Sequence, residues 1–409
     1  MLTANYVDDE LVVYTADGYY MSTYEGSQFV FLKFPGQPGY LSFKQFAKVL
    51  NRPDIIKSIF DGIEPAAEPN LVPPPRLQLT VKPDGAAPGA FQLSMSGTST
   101  RDLATLRLFV DGQLWNERTV SGRVLRIDDR VVIPAQARWL TAVAVDVAGS
   151  ESVPVAREMP RDSRASSRKL FVLAVGTDTY VNLPRNLQLR YAVADAKHFV
   201  SAAAAQKSGY YKTVETTPLL DKRGLKTELP KTLRSIARSA TEDDSIMLFV
   251  SGHGYRGDDG KLYLVLNESR QDDLEESSLS WDELARGFEG TKARIIVFID
   301  ACHSGAVPNG GSNDEIADTL AAQQIRFTVV AAAKGRQESF EKQELGGGVF
   351  TNALVAALGN RAAVDSNKNG VIELSELYSK VKPAVLTEMQ GLQTPWLARA
   401  DMVGEVPLF

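Results

Sequence analysis

Two short motifs set a sulfur nucleophile and a proton carrier in similar surroundings. Cys302, the only cysteine in 409 residues, lies in Asp300-Ala-Cys-His-Ser-Gly305, and His253, one of three histidines, lies in Gly252-His-Gly254. A thiolate that attacks an acyl carbon needs a partner to protonate the leaving group, and imidazole does this near neutral pH. Amide hydrolysis also needs donors for the oxyanion. The backbone N–H groups of Gly254 and Cys302 are the candidates, and a glycine there lets substrate approach with no side chain in the way. A lone cysteine is more often a small core residue. The flanking glycines, and the apolar runs that lead to both residues, set this pair apart. His303 reads as part of the nucleophile's loop, and His198 as a surface or packing residue of an amphipathic helix.

Those apolar runs are the elements that must do the positioning. Residues 246–250 (Ile-Met-Leu-Phe-Val) precede His253, and residues 295–299 (Ile-Ile-Val-Phe-Ile) precede Cys302. Runs apolar on both faces predict central strands of a parallel sheet buried under helices. In such sheets the site lies beyond the carboxyl ends of the strands. Further strands are expected at 170–175 and 327–331, with helices near 187–205, 226–239 and 281–288. This alternation predicts an α/β domain over 170–409 with a mostly parallel sheet and helices on both faces.

The first 160 residues read differently. Residues 1–60 mix short strands (11–15, 29–34) with helical pieces (43–50, 53–60), and 61–76 carry five prolines, the mark of a stiff linker. Strands expected at 77–81, 91–95, 106–110, 124–127 and 140–147, with turns at Asp111-Gly112 and Pro83-Asp-Gly85, predict an all-β immunoglobulin-like sandwich over 77–160 that serves as spacer or docking surface. Residues 161–169 are basic and polar, an exposed hinge.

Composition narrows the function classes. With 44% hydrophobic and 23% charged residues the chain is ordinary globular protein, and a net charge of −5 argues against a nucleic-acid partner. A single cysteine forms no intramolecular disulfide and suits a reducing compartment. No secretory signal and no run of ~18 apolar residues is visible. The expectation is a cytoplasmic protein with no membrane partner.

The histidine lies 49 residues before the cysteine, close to the spacing in caspases. The cysteine motif, together with 260–265 (Gly-Lys-Leu-Tyr-Leu-Val), 280–284 (Ser-Trp-Asp-Glu-Leu) and 348–351 (Gly-Val-Phe-Thr) in that order, resembles the metacaspase and bacterial caspase-like branch of the caspase family from about Lys169 onward. The resemblance implies a Cys302–His253 dyad with no obligatory third acid, acting on protein substrates by limited proteolysis, often in bacterial stress or defence. It also implies an S1 pocket. Asp300 stands where metacaspases carry an S1 aspartate, and Asp195 where they carry a second; the arginines of an aspartate-specific caspase pocket are not found. Two such carboxylates would select Arg, and Lys less well, at P1. Asp195 as a solvated helix residue and Asp300 as a loop brace are the plainer readings of the same residues.

Further expectations follow from that resemblance. Residues 15–20 and 52–56 resemble a segment that follows WD repeats in bacterial caspase-like proteins, and an activating partner would act through the N-terminal domains. The loop after the nucleophile, 306–324, has Asp314 and Asp318 but no Lys or Arg, so a basic-specific enzyme could not cut itself there, and the hinge with Arg161, Arg164 and Arg168 is the better candidate. Asp178 replaces a common asparagine, and Ser339 and Glu341 lie on the loop after strand 327–331 with no assigned role. Two rival readings are a catalytically silent scaffold and the same fold with another P1 preference; the intact His253, Gly254 and Cys302 weigh against the first.

Residues 365–376 (Asp-Ser-Asn-Lys-Asn-Gly-Val-Ile-Glu-Leu-Ser-Glu) match the EF-hand loop pattern, with Asp365, Asn367, Asn369, Val371 and Glu376 at ligand positions and Gly370 at the turn. Only three of the twelve are acidic and no second hand is present. Calcium (Ca2+) and a plain helix connector are both consistent with the pattern; the chemistry itself needs no cofactor.

Overall fold

The computed structural model describes residues 2–7, 10–23, 26–34, 40–63, 69, 71–85, 89–134, 137–159, 168–206, 210–222, 224–302, 316, 319, 327–333, 337–399 and 403–409. The chain divides into two compact units: Met1–Val110, Leu114–Ile133 and Leu140–Met159 form the first; Asp111–Gln113, Pro134–Trp139 and Pro160–Phe409 form the second.

The first unit is built from small antiparallel sheets. Leu2–Val7, Glu10–Thr15 and Tyr20–Ser22 form one, Phe31–Leu32 and Leu41–Ser42 a hairpin, and helix Pro53–Phe60 starts with its proline in the first turn, where the missing N–H costs nothing. Two larger sheets follow: Arg76–Pro83, Ala90–Thr98 and Val124–Val132 in one, with Ala90–Thr98 central; Val155–Glu158, Trp139–Asp146, Leu103–Val110 and Gln113–Thr119 in that order in the other. Asp111 (φ +50°) and Gly112 (φ +87°) make the tight two-residue turn expected of Asp-Gly.

In the second unit six strands form the main sheet: β1 (Lys169–Gly176), β2 (Thr213–Leu220), β3 (Ser245–Arg256), β4 (Arg294–Cys302), β5 (Phe327–Ala331) and β6 (Trp396–Arg399). Their order is β2-β1-β3-β4-β5-β6, all parallel except β6. Two short strands, Leu262–Leu264 and Leu279–Ser280, extend the far end of β3 antiparallel. The principal helices are α1 (Ala192–Ala204), α2 (Leu225–Ser239), α3 (Val349–Gly359) and α4 (Leu374–Met389).

Alternate residues of β1, β3 and β4 feed opposite cores, which is why their sequences are apolar throughout. Leu173, Leu248 and Val297 pack with Leu229 and Leu233 of α2 and with Trp281. Val172, Phe249 and Phe298 pack with Phe199 of α1, Leu354 of α3 and Val381 of α4. The mostly parallel sheet with helices on both faces matches the expectation.

One expectation needs correction. The hinge was expected to be exposed through residue 169, yet Arg168 is 3% exposed. Its guanidinium pairs with Asp111 at 3.0 Å and lies over the Tyr210 ring. A buried guanidinium held this way is a poor site for proteolysis. Arg161, Arg164, Asp314 and Asp318 lie outside the described residues.

Candidate functional site

The two motifs meet through strand register. β3 and β4 are parallel, and their pairing runs from Ser245↔Arg294 to His253↔Cys302. The acid/base and nucleophile candidates are thus neighbours across one ladder step, about 4.8 Å in backbone spacing. Both are at the carboxyl end of the sheet, as expected for a site in this topology.

His253 is 1% exposed, and its Nε2 lies 2.8 Å from the carbonyl oxygen of Leu187. A carbonyl only accepts, so Nε2 carries a hydrogen and donates it. In this tautomer Nδ1 is the ring nitrogen that carries no hydrogen. A backbone carbonyl thus orients the imidazole, as a carboxylate does in many hydrolases. Tyr180 completes the setting: its ring stacks on the imidazole at 4.9 Å, and its hydroxyl oxygen accepts the His253 N–H at 3.0 Å.

Gly254 pairs with Leu264 in the short antiparallel extension. Val265 donates to the His253 carbonyl at 3.0 Å, which makes 253/265 a hydrogen-bonded pair and 254/264 a non-hydrogen-bonded one. The Gly254 N–H is accordingly directed away from the 262–264 strand, as an oxyanion donor must be.

Asp195 and Asp300, 105 positions apart in sequence, converge. Asp195 lies in the first turn of α1 and is 1% exposed; Asp300 lies on β4 and is 3% exposed. Gly348 donates its N–H to both Asp195 oxygens, at 3.0 and 3.1 Å. Ser339 and Thr351 each donate a hydroxyl to Asp300 at 2.5 Å. A Cβ on Gly348 would stand 2.6 Å from Asp300 Oδ2 and 3.0 Å from Asp195 Oδ2, so the two carboxylates flank one backbone position that only glycine fits. Burial, and then the charge of Asp300, push Asp195 up to about 8. Burial pushes Asp300 up as well, against the hydrogen bonds from Ser339 and Thr351. Glu341 belongs to the same acidic group: it accepts the Tyr191 N–H at 3.1 Å and is raised by burial and by the charges of Asp178 and Asp300. Sequence reasoning noticed Ser339 and Glu341 without a role; the Gly346-Gly-Gly348 run was the available signal that backbone passes close to something there.

His198 is exposed on α1, as expected; His303 lies outside the described residues. The segment 365–376 forms a compact loop before α4. Asp365 accepts from Asn369 and Gly370, Asn367 from Asn369, and Asn369 from Val371. Glu376 takes Ser366 and Asn367 on Oε1 and the Glu373 N–H on Oε2, forming a capping box with Glu373. Glu373 is pushed up to about 7, chiefly by burial. The Asp365, Asn367 and Asn369 oxygens each accept one N–H and keep a second lone pair for an oxygen-seeking cation, whereas Glu376 Oε1 already accepts three donors and would have to release them to bind one. Among the described residues, the 365–376 loop included, no group of three or more His, Cys, Asp or Glu is arranged to hold a metal ion, and no helix is long and apolar enough to cross a membrane.

Solved structures to which the chain is similar include a Geobacter sulfurreducens protein, 19% identical, covering 57% of this chain and 93% of that one with a TM-score of 0.40. Another is Chaetomium thermophilum Raptor, 13% identical over 52% of this chain and 20% of that one, TM-score 0.31. No curated protein sequence matches the chain. The sequence model described as the caspase domain matches residues 169–406, more than half of the chain and all six strands of the main sheet. The chain belongs to the caspase-domain family of cysteine peptidases.

Proposed function

We propose that this protein is a metacaspase-like cysteine endopeptidase that cuts protein substrates after Arg, and less readily after Lys. The observation that carries the reading is the convergence of Asp195 and Asp300 on Gly348, next to the strand ends that pair His253 with Cys302. A guanidinium entering this group meets carboxylates in planar, bidentate reach; an ammonium meets them as a point charge. Its arrival supplies the countercharge whose absence keeps Asp195 protonated in the free enzyme.

In the proposed reaction the Cys302 thiolate attacks the carbonyl carbon after P1. The oxygen takes the electron pair and is held by the N–H groups of Gly254 and Cys302. Collapse breaks the C–N bond, and the imidazolium of His253 gives its Nδ1 proton to the departing amine. Water, deprotonated by the same nitrogen, then releases the acyl group and restores the thiol. The Leu187 carbonyl stabilises the imidazolium through Nε2–H at each stage.

No metal takes part in these steps. Calcium is proposed only for the loop 365–376, with Asp365, Asn367, Asn369, the Val371 carbonyl and Glu376 as its ligands. The two larger antiparallel sheets are read as an immunoglobulin-like domain, on strand number and spacing, and the N-terminal unit as the docking surface for an activating protein. A cytoplasmic setting and a role in limited, defence-type proteolysis complete the proposal.

The test is hydrolysis of fluorogenic peptides that differ only at P1, using the full chain and Cys302→Ala. Arg cleavage lost in the variant supports the reading, whereas cleavage confined to Asp at P1 removes the basic pocket and keeps the peptidase. Absence of cleavage for every peptide, together with retained binding of a protein partner, would favour the scaffold.

A further inference from the structure

The orientation of His253 depends on a loop, residues 177–191 between β1 and α1, that has little regular structure to hold it. Leu187 closes a single 3-10 turn, Arg185–Leu187, with its N–H on the Pro184 carbonyl. One side chain ties this loop together. The Gln188 amide oxygen accepts the Tyr180 N–H at 2.7 Å, and its Nε2 faces the carbonyl oxygens of Tyr180, Leu183 and Pro184 at 3.0, 3.2 and 3.2 Å. Tyr180, Leu183 and Leu187 pack together with Val265, the residue that donates to the His253 carbonyl. Gln188 therefore fastens both parts of the loop that touch the imidazole: Tyr180, which stacks on it, and the turn that delivers the Leu187 carbonyl to Nε2.

We propose that Gln188 is a positioning residue for the acid/base histidine, clamping the 180–187 turn so that His253 is held as the Nε2–H form and Nδ1 is the nitrogen that exchanges the proton. The inference rests on the Cys302–His253 reading above. Without the amide, the Tyr180 N–H and the carbonyls of Tyr180, Leu183 and Pro184 each lose one hydrogen bond, the Tyr180 and Pro184 carbonyls keeping those from Leu183 and Leu187 within the turn, and the turn relaxes. Leu187 then withdraws, and the imidazole samples the other tautomer and other ring orientations. A relaxed turn acts on the proton-transfer step more than on P1 binding, because Asp195, Asp300 and their donors come from other segments.

The full chain is compared with Gln188→Ala and Gln188→Glu. The second keeps an acceptor for the Tyr180 N–H and removes the donors to the three carbonyls. Nitrogen NMR of the three histidines reads the His253 tautomer directly, with His253→Ala giving the assignment. Alkylation of the single cysteine at about pH 6, followed by intact mass, reads the thiolate that an imidazolium partner sustains. In the wild type, His253 is expected as the Nε2–H tautomer, and alkylation is at least ~10-fold faster than in His253→Ala. Both Gln188 variants, with folding verified by thermal unfolding, should show mixed tautomers and alkylation slowed towards the His253→Ala rate. Their kcat on an Arg peptide should fall ~10–100-fold with KM within about threefold. A wild-type tautomer and unchanged kcat in both variants overturn the clamp while leaving the dyad intact. Equal alkylation of wild type and His253→Ala overturns the dyad, and the clamp falls with it. Raised KM at constant kcat would instead assign Gln188 to substrate binding, against the proposal.

Discussion

The second unit holds two acidic groupings that reached their geometry by opposite routes. Asp195 and Asp300 come from separate elements, α1 and β4, and meet around Gly348, with one N–H on Asp195 and two hydroxyls and the Thr351 N–H on Asp300. The carboxylates of 365–376 come from one short segment, and mostly that segment's own N–H, amide and hydroxyl groups fill them, with the Trp139 indole added on Glu373. Tertiary structure has brought like charges together in the first case; in the second, Glu373 and Glu376 are neighbours in one capping box and Glu373 is raised as well, but local donors surround them. Burial without countercharge leaves the first pair short of a cation. The loop is already satisfied, so a cation adds little to it. The difference points to the first as the place where ligand charge does most.

Breaking the first grouping should have the larger effect. Asp300→Asn is expected to lower kcat/KM for Arg peptides by ~10²–10³, since loss of one partner from a desolvated charge pair costs about 2–5 kcal/mol; comparable activity on Arg and neutral P1 peptides in the variant would be the diagnostic. Gly348→Ala drives a methyl against both carboxylates and should destabilise the domain by about 1–3 kcal/mol, seen as a lower denaturation midpoint and weakened Arg cleavage. An unchanged midpoint would show that the carboxylates do not enclose this position.

Acidity sharpens the comparison. Asp195 is about 8 in the folded chain against 3.8 as its ordinary value. Between these limits the folded state keeps a proton that the unfolded state has released, so this contribution to stability is complete below about pH 4 and fades as pH rises through about 8. Asp195→Asn removes the slope: the variant should be the more stable form at pH 8, by a few degrees in Tm (about 2–4 °C per kcal/mol). Identical pH profiles for both proteins would count against the burial argument. The smallest effect belongs to the loop. With three acidic residues, calcium is expected to bind in the 10⁻⁴–10⁻³ M class and to raise Tm by about one or two degrees at millimolar concentration. Glu376→Gln should abolish that rise, and a flat calcium titration of the wild type would remove the ion from the account.

How much of this was legible in the sequence follows the physics of each element. β3 and β4 were readable because strands buried on both faces are uniformly apolar, and with them came the placement of His253 and Cys302. β2 was missed because it is an edge strand, polar along Thr213–Thr217 and interrupted by Pro218, which an edge tolerates. Gln113–Thr119 was missed for a similar reason: its side chains are mostly exposed, though Asp111-Gly112 announced a hairpin. Arg168 was misplaced because a charged residue in a basic run reads as solvated until its partner, Asp111, is brought to it from 57 positions away. The pairing of Asp195 with Asp300 was accessible only through the family resemblance. Leu187 could not be found at all, since it acts through a carbonyl that every residue possesses.

The central claim is that Cys302 and His253 cut after a basic residue recognised by Asp195 and Asp300. Its most direct test is the rate of cleavage of matched Arg, Lys and Asp peptides by the wild type, Cys302→Ala and Asp300→Asn. The account predicts Arg faster than Lys, no turnover of Asp, none by Cys302→Ala, and selective loss of Arg and Lys in Asp300→Asn. Cleavage after Asp, or Arg cleavage that survives in Asp300→Asn, would contradict it.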